Sequence, residues 1–182
     1  MNKVKIALIG SSSTGKSTVL EELRKELTAQ NGYPIYQFFN ESTRSIAKYG
    51  FPINKHGTDL TQLAISNFHL EHLLHATENA IYDRCYLDLV AYTRHLPDVS
   101  EVVLKYIEDT WARILPMYTH YFYFPITFQS VEDGVRSTDE EWRLKVDEEF
   151  RSILAELPNV TVMPERLEDR VAVVSRLVRF FT

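Results

Sequence analysis

The chain has 182 residues, enough for one domain with a sizeable core and too few to leave room for a second. Hydrophobic residues make up 45% and charged residues 25%, the balance of an ordinary globular protein. A formal net charge of -5 excludes the overall basic footprint of a nucleic-acid binder, although a locally basic groove stays open.

In chain order, short β-rich runs alternate with longer helical patterns. Val4–Ile9 predicts a buried strand. It is too short for a membrane span or a signal-peptide core, and with one cysteine, Cys85, the expected compartment is the reducing cytoplasm. Ser17–Ala29 predicts a helix with Val19, Leu20, Leu23 and Leu27 on one face, ended by Gly32. Ile35–Phe39 reads as a strand, 40–57 as a loop, Asp59–Thr77 as a helix, Ala80–Asp83 as a strand and Tyr86–His95 as a helix broken by Pro97. Ser100–Leu115 is a helix stopped by Pro116, and His120–Phe124 an aromatic strand. Asp139–Leu157 is a helix opened by a Thr138/Glu141 capping box, followed by strand Val160–Met163 and helix Leu167–Phe181. This alternation implies right-handed βαβ units: a three-layer α/β/α fold on a five-stranded parallel sheet. Ligands in such folds bind at the carboxyl ends of the strands.

Gly10-Ser11-Ser12-Ser13-Thr14-Gly15-Lys16-Ser17 follows the first strand and opens the first helix, which is the context the phosphate-loop pattern G-x-x-x-x-G-K-[ST] requires. The two glycines permit a tight turn with backbone N–H groups aimed at phosphate oxygens, and the helix N-terminus adds positive potential. Lys16 then serves the β- and γ-phosphates, Ser17 supplies a hydroxyl to Mg²⁺, and Thr18 caps a phosphate oxygen. ATP as donor and Mg²⁺ as metal are the implied ligands.

Such a site also needs a carboxylate at a neighbouring strand end. Asp83 ends Ala-Ile-Tyr-Asp and precedes Arg84. It can hold the metal or take the acceptor's proton, with Arg84 on a phosphate; the plainer alternative is a helix cap with Arg84 as its salt-bridge partner. Glu41 and Arg44 follow the second strand, where Glu41 can bind an acceptor hydroxyl or act as general base. On the Asp59–Thr77 helix, Leu60, Leu63, Ala64 and Leu74 define an apolar side shared by Asn67, Glu71 and, marginally, His75. Asn67 and Glu71 are therefore candidates to line an acceptor pocket. His69, His72 and His75 recur every three residues, a spacing that drifts around the helix and disfavours metal binding. Asp133-Gly134-Val135-Arg136 predicts a closing lid, with Arg136, and Arg143 beyond it, as cations over the transferring phosphoryl group.

These residues resemble the NadR-like kinase family, also described as AAA_28-type P-loop proteins, whose best-known member domain is a ribosylnicotinamide kinase. The resemblance covers the P-loop, Glu41, Asp83 and the Asp133-Gly134-x-Arg136 lid. Asp83–Tyr86, with Ala91-Tyr92 beyond, is also similar to thymidylate and deoxynucleoside kinases. The resemblance implies that Asp83 and Arg84 act at the acceptor and that the lid arginine acts on the phosphates. The expected activity is phosphorylation of a small-molecule nucleoside or nucleotide, by a monomer or homodimer. The chief alternative is a regulatory nucleotide-dependent switch. A nucleic-acid acceptor has no support from net charge, and no membrane association is expected.

Overall fold

A computed structural model describes residues 3–29, 36–127 and 139–180. Within them, strands β1 (Lys5–Ile9), β2 (Tyr36–Phe39), β3 (Asn79–Asp83), β4 (His120–Tyr123) and β5 (Val160–Val162) form one sheet in the order β2-β3-β1-β4-β5. All four pairings are parallel, so β1 is central, with Leu8 opposite Asp83 on one side and Phe122 on the other. Parallel strands covered on both faces need apolar side chains in both directions. Accordingly Ile6, Leu8, Ile81 and Phe122 point to one layer, and Ala7, Ile9, Ala80 and Tyr121 to the other.

The first layer is helices α1 (Lys16–Ala29) and α7 (Leu167–Phe180), which pack through Val19, Leu20, Leu23, Val174 and Val178. The second holds α3 (Asp59–His75), α4 (Tyr86–Thr93), α5 (Glu101–Ile114) and α6 (Glu140–Leu154). Helix α4 lies between its neighbours and the sheet, and Tyr86, Leu87, Asp88, Leu89, Val90, Ala91 and Thr93 are all buried. This is the expected three-layer α/β/α arrangement.

Three local expectations change. Residues 40–57 are not plain loop: they contain α2 (Thr43–Lys48) and a 3-10 turn at Asn54–His56. Helix α6 is capped by Asp139, whose carboxylate accepts the Trp142 N–H, and Thr138 lies outside the described residues. The inward face of α3 is Thr61, Gln62, Ile65, Ser66, His69 and Leu73, whereas Leu60 and Leu74 are exposed. Apolar residues lie almost all round this helix, so periodicity alone does not choose the face. The choice is made by α4, where Tyr86 and Ser66 share a 2.8 Å hydrogen bond.

Candidate active site

The Gly10–Ser17 loop leaves the carboxyl end of β1 in a conformation only glycine tolerates at its start. Gly10 has φ +137°, and a Cβ there would sit 2.5 Å from the Phe124 carbonyl oxygen. The Lys16 ammonium is buried and donates to Gly10 O (2.8 Å), Ser11 O (2.7 Å) and Thr14 Oγ1 (3.1 Å). Burial, with the nearby Arg84 guanidinium, lowers its pKa to about 7. The Ser11 and Ser13 hydroxyl oxygens are buried without a hydrogen-bond partner among the described residues. Unmet polar atoms within a phosphate loop are what a bound anion would satisfy.

Asp83 ends β3 beside the loop, and Ser17 donates a 2.5 Å hydrogen bond to its Oδ2. Its Oδ1 is buried and unpartnered among the described residues, and burial raises the carboxyl above its usual range. A hydroxyl and a carboxylate oxygen in contact, with a second oxygen unmet, suit a hard cation that takes its other ligands from phosphates and water. Ser17 and Asp83 thus fit Mg²⁺. No cluster of three or more His, Cys, Asp or Glu suited to a metal occurs among the described residues.

Arg84 follows in the left-handed conformation, φ +71°. Its guanidinium sits in a network of two carboxylates and a loop carbonyl. Its Nε donates to Glu41 Oε1 (2.8 Å), its Nη1 to Asp88 Oδ1 (3.0 Å) and to Gly10 O (3.1 Å), and its guanidinium lies 5.4 Å from the Tyr92 ring centroid. Burial alone would raise Glu41, but Arg84 and Lys16 outweigh it and hold that carboxylate below its usual range. Asp88 is pushed up to about 6, because burial outweighs Arg84. Asp88 Oδ2 also accepts the Cys85 N–H, which anchors the start of α4.

Next to this network lies a pocket partly open to solvent, lined by polar Glu41, Gln62, His69, Arg84 and Asp88 and by apolar Ile65, Leu89 and Leu96. The polar residues of α3 that reach it are Gln62 and His69. Asn67 and Glu71 are exposed on the opposite side, as is His75, and do not line it. Arg44 lies outside the lining, half-exposed, with Nε 3.9 Å from Glu41 Oε2.

Arg143 also departs from its expected role. It is buried behind the phosphate loop, donating from Nε to Ser12 O (2.9 Å) and from Nη2 to Ser13 O (3.1 Å). Arg170, which no motif flagged, donates from Nη1 to Thr14 O (2.7 Å) and lies over the Phe124 ring. Thr18 is exposed. Asp133, Gly134 and Arg136 lie outside the described residues.

A strand, a phosphate loop and a helix, with a strand-end aspartate against the loop serine, define a P-loop nucleotide-binding protein. More particularly, the chain belongs to the AAA_28 family (AAA domain), whose profile matches residues 5–170. Comparison with curated proteins finds no match. Among solved structures, the NadR protein in complex with NAD and AMP-PNP aligns with a TM-score of 0.72 at 15% identity, covering 96% of this chain and 49% of that one. The NadR protein in complex with NR gives 0.69 at 15%, covering 91% and 46%. Thymidylate kinase from Ehrlichia chaffeensis gives 0.69 at 16%, covering 97% and 99%. The chain therefore spans about half the length of the NadR chains and nearly all of the thymidylate kinase. At these identities the likeness is one of fold. Among the described residues no helix is long and apolar enough to cross a membrane.

Proposed function

We propose that the protein is a kinase that transfers the γ-phosphoryl group of ATP to a hydroxyl or phosphate oxygen of a nucleoside-like or nucleotide-like acceptor. The observation that carries this reading is the junction of two sites. Arg84 donates to Gly10 O of the phosphate loop and, with Glu41 and Asp88, lines the pocket beside it. A regulatory switch needs the first site and has no use for the second. The fold shared with a thymidylate kinase, and with a NadR structure holding AMP-PNP, agrees with it.

In this mechanism the loop amides, Ser11, Ser13 and Lys16 bind the triphosphate. Phosphate contact favours the charged ammonium, so Lys16 regains the proton that burial disfavours. When bound through Ser17 and Asp83, Mg²⁺ would neutralise charge on the β- and γ-phosphates. Glu41 orients the acceptor hydroxyl at the pocket's inner end. The hydroxyl oxygen bonds to Pγ as the bond from Pγ to the β,γ-bridging oxygen breaks, ADP leaves, and the hydroxyl proton passes to a carboxylate or to solvent. Arg136 is assigned, from its Asp-Gly-x-Arg motif, to the phosphates during transfer.

A nucleic-acid acceptor finds no support in the formal net charge of -5. The test is ATP consumption by the purified protein with Mg²⁺ across nucleosides, nucleoside monophosphates, ribosylnicotinamide and oligonucleotides. A large rise with one acceptor, with a product heavier by one phosphoryl group, is the expected result. A slow rate indifferent to every acceptor overturns the kinase reading.

A further inference from the structure

The pocket's own chemistry narrows the acceptor. Its wall carries one guanidinium, Arg84, against two carboxylates, Glu41 and Asp88. Arg84 is already committed to both carboxylates, to Gly10 O and to the Tyr92 ring. An acceptor bearing its own phosphate would bring further negative charge beside Glu41 and Asp88, where Arg84 is the one cation of the pocket wall among the described residues.

The far wall is different in kind. His69 is 6% exposed, lines the pocket and makes no hydrogen bond to any described residue. Its ring is fixed by an edge contact with Tyr86, whose hydroxyl is itself tied to Ser66. An imidazole on the pocket wall, held by that ring contact, can hydrogen-bond whatever fills the pocket. Burial lowers its pKa to about 3, so it meets that ligand as a neutral ring with one donor and one acceptor nitrogen. Two turns earlier on the same helix face, Gln62 is buried with its carbonyl accepting from the Thr93 hydroxyl, and Ile65, Leu89 and Leu96 supply apolar walls around the pair.

Resting on the kinase reading, the geometry points to an acceptor whose sugar carries no phosphate and whose base is an uncharged heterocycle, with His69 as the specificity-determining residue that hydrogen-bonds it. The glycosyl end faces Glu41 and the phosphate loop, and the base lies against α3. This selects nucleosides over nucleoside monophosphates. It also disfavours a cationic base, because neither His69 nor its apolar neighbours on that wall offer it a negative partner.

The experiment uses the full chain with Mg·ATP and matched pairs, each a nucleoside and its 5′-monophosphate, with pyrimidine, purine and pyridinium bases. We expect kcat/KM for an uncharged-base nucleoside to exceed that of its monophosphate by 30-fold or more. A preferred monophosphate, or a preferred pyridinium nucleoside, overturns the inference and leaves the kinase reading standing. If no pair member stimulates phosphoryl transfer while ATP still binds, the kinase reading itself falls. His69→Leu is expected to raise the acceptor KM about tenfold, the worth of one buried hydrogen bond, with the KM for ATP changed less than twofold. His69→Gln, which keeps a donor and an acceptor, is expected to recover most of that loss and serves if the leucine variant does not fold. An acceptor KM unchanged in both variants removes His69 from the role.

Discussion

Removing Arg84 is the most informative single perturbation, because its cost can be worked from the structure and has a pH signature. In Arg84→Met the chain keeps a stem of similar length and loses the guanidinium. Glu41 and Asp88 then stay enclosed with no counter-charge from that position, and Gly10 O loses a donor. Breaking a buried ion pair by deleting one partner costs about 3–5 kcal/mol. For a chain of this length that corresponds to a fall in Tm of roughly 6–20 °C. The pH dependence follows from Asp88. Its pKa is about 6 with Arg84 present, so it is already raised above an unfolded carboxylate, and losing the cation raises it further. A carboxyl with a raised folded pKa loses stability as pH climbs through that value. The deficit of the variant should therefore be large at pH 8 and shrink toward pH 5.5, where Asp88 can protonate. Differential scanning fluorimetry of both proteins at the two pH values measures this. A fall of less than about 3 °C at pH 8, or a deficit that does not shrink at pH 5.5, refutes the account of Arg84 as the charge that balances two buried carboxylates.

Three further outcomes are expected. Burial lowers Lys16 to about 7, and phosphate favours its charged form, so ATP binding at pH 8 should take up a proton. Calorimetry in buffers of different ionisation enthalpy reads this directly; Lys16→Ala should abolish both the uptake and turnover while the protein stays folded, and an uptake near zero in the wild type contradicts the site. Asp83→Asn should lower turnover by about 10² or more, because the amide is a poorer metal ligand and takes no proton; a loss of only a few-fold would return Asp83 to a structural role. Gly10→Ala should cost about 3 kcal/mol, from its φ of +137° and a Cβ only 2.5 Å from the Phe124 carbonyl, and a Tm within 2 °C of the wild type would refute the strain.

Much of the architecture could be read directly from residue patterns. The strands fall within a residue or two of the expected runs, because each is a short apolar segment bounded by a turn signal and followed by a helical period. The phosphate loop was equally legible, since it is a contiguous motif with a local mechanism. What escaped depends on contacts distant in sequence. The buried face of α3 is fixed by Tyr86, 20 residues beyond Ser66, and not by a pattern within the helix. Asp88 looks like a first-turn helix acid until the left-handed turn at Arg84 brings the guanidinium onto it. Helix α2 is six residues long, too short to display a period. Arg170 reaches Thr14 across 156 residues, and no local signal announces that.

The arginines have a common cause. A loop that turns its amides toward phosphate turns carbonyl oxygens elsewhere, and buried carbonyls need donors of their own. Here every carbonyl from Gly10 to Thr14 receives one: Arg84 and Lys16 at Gly10, Lys16 at Ser11, Arg143 at Ser12 and Ser13, and Arg170 at Thr14. These cations come from the turn before α4, from α6, from α7 and from the loop's own helix. When Lys16 moves to phosphate, Ser11 O keeps the Thr14 hydroxyl as donor, Gly10 O keeps Arg84, and the other three keep theirs. The loop can therefore give up one cation to the nucleotide without losing its shape. Because Arg84 is also a wall of the acceptor pocket, that shape is tied to the second site, and a change in the pocket's charge reaches the phosphate loop through a single side chain.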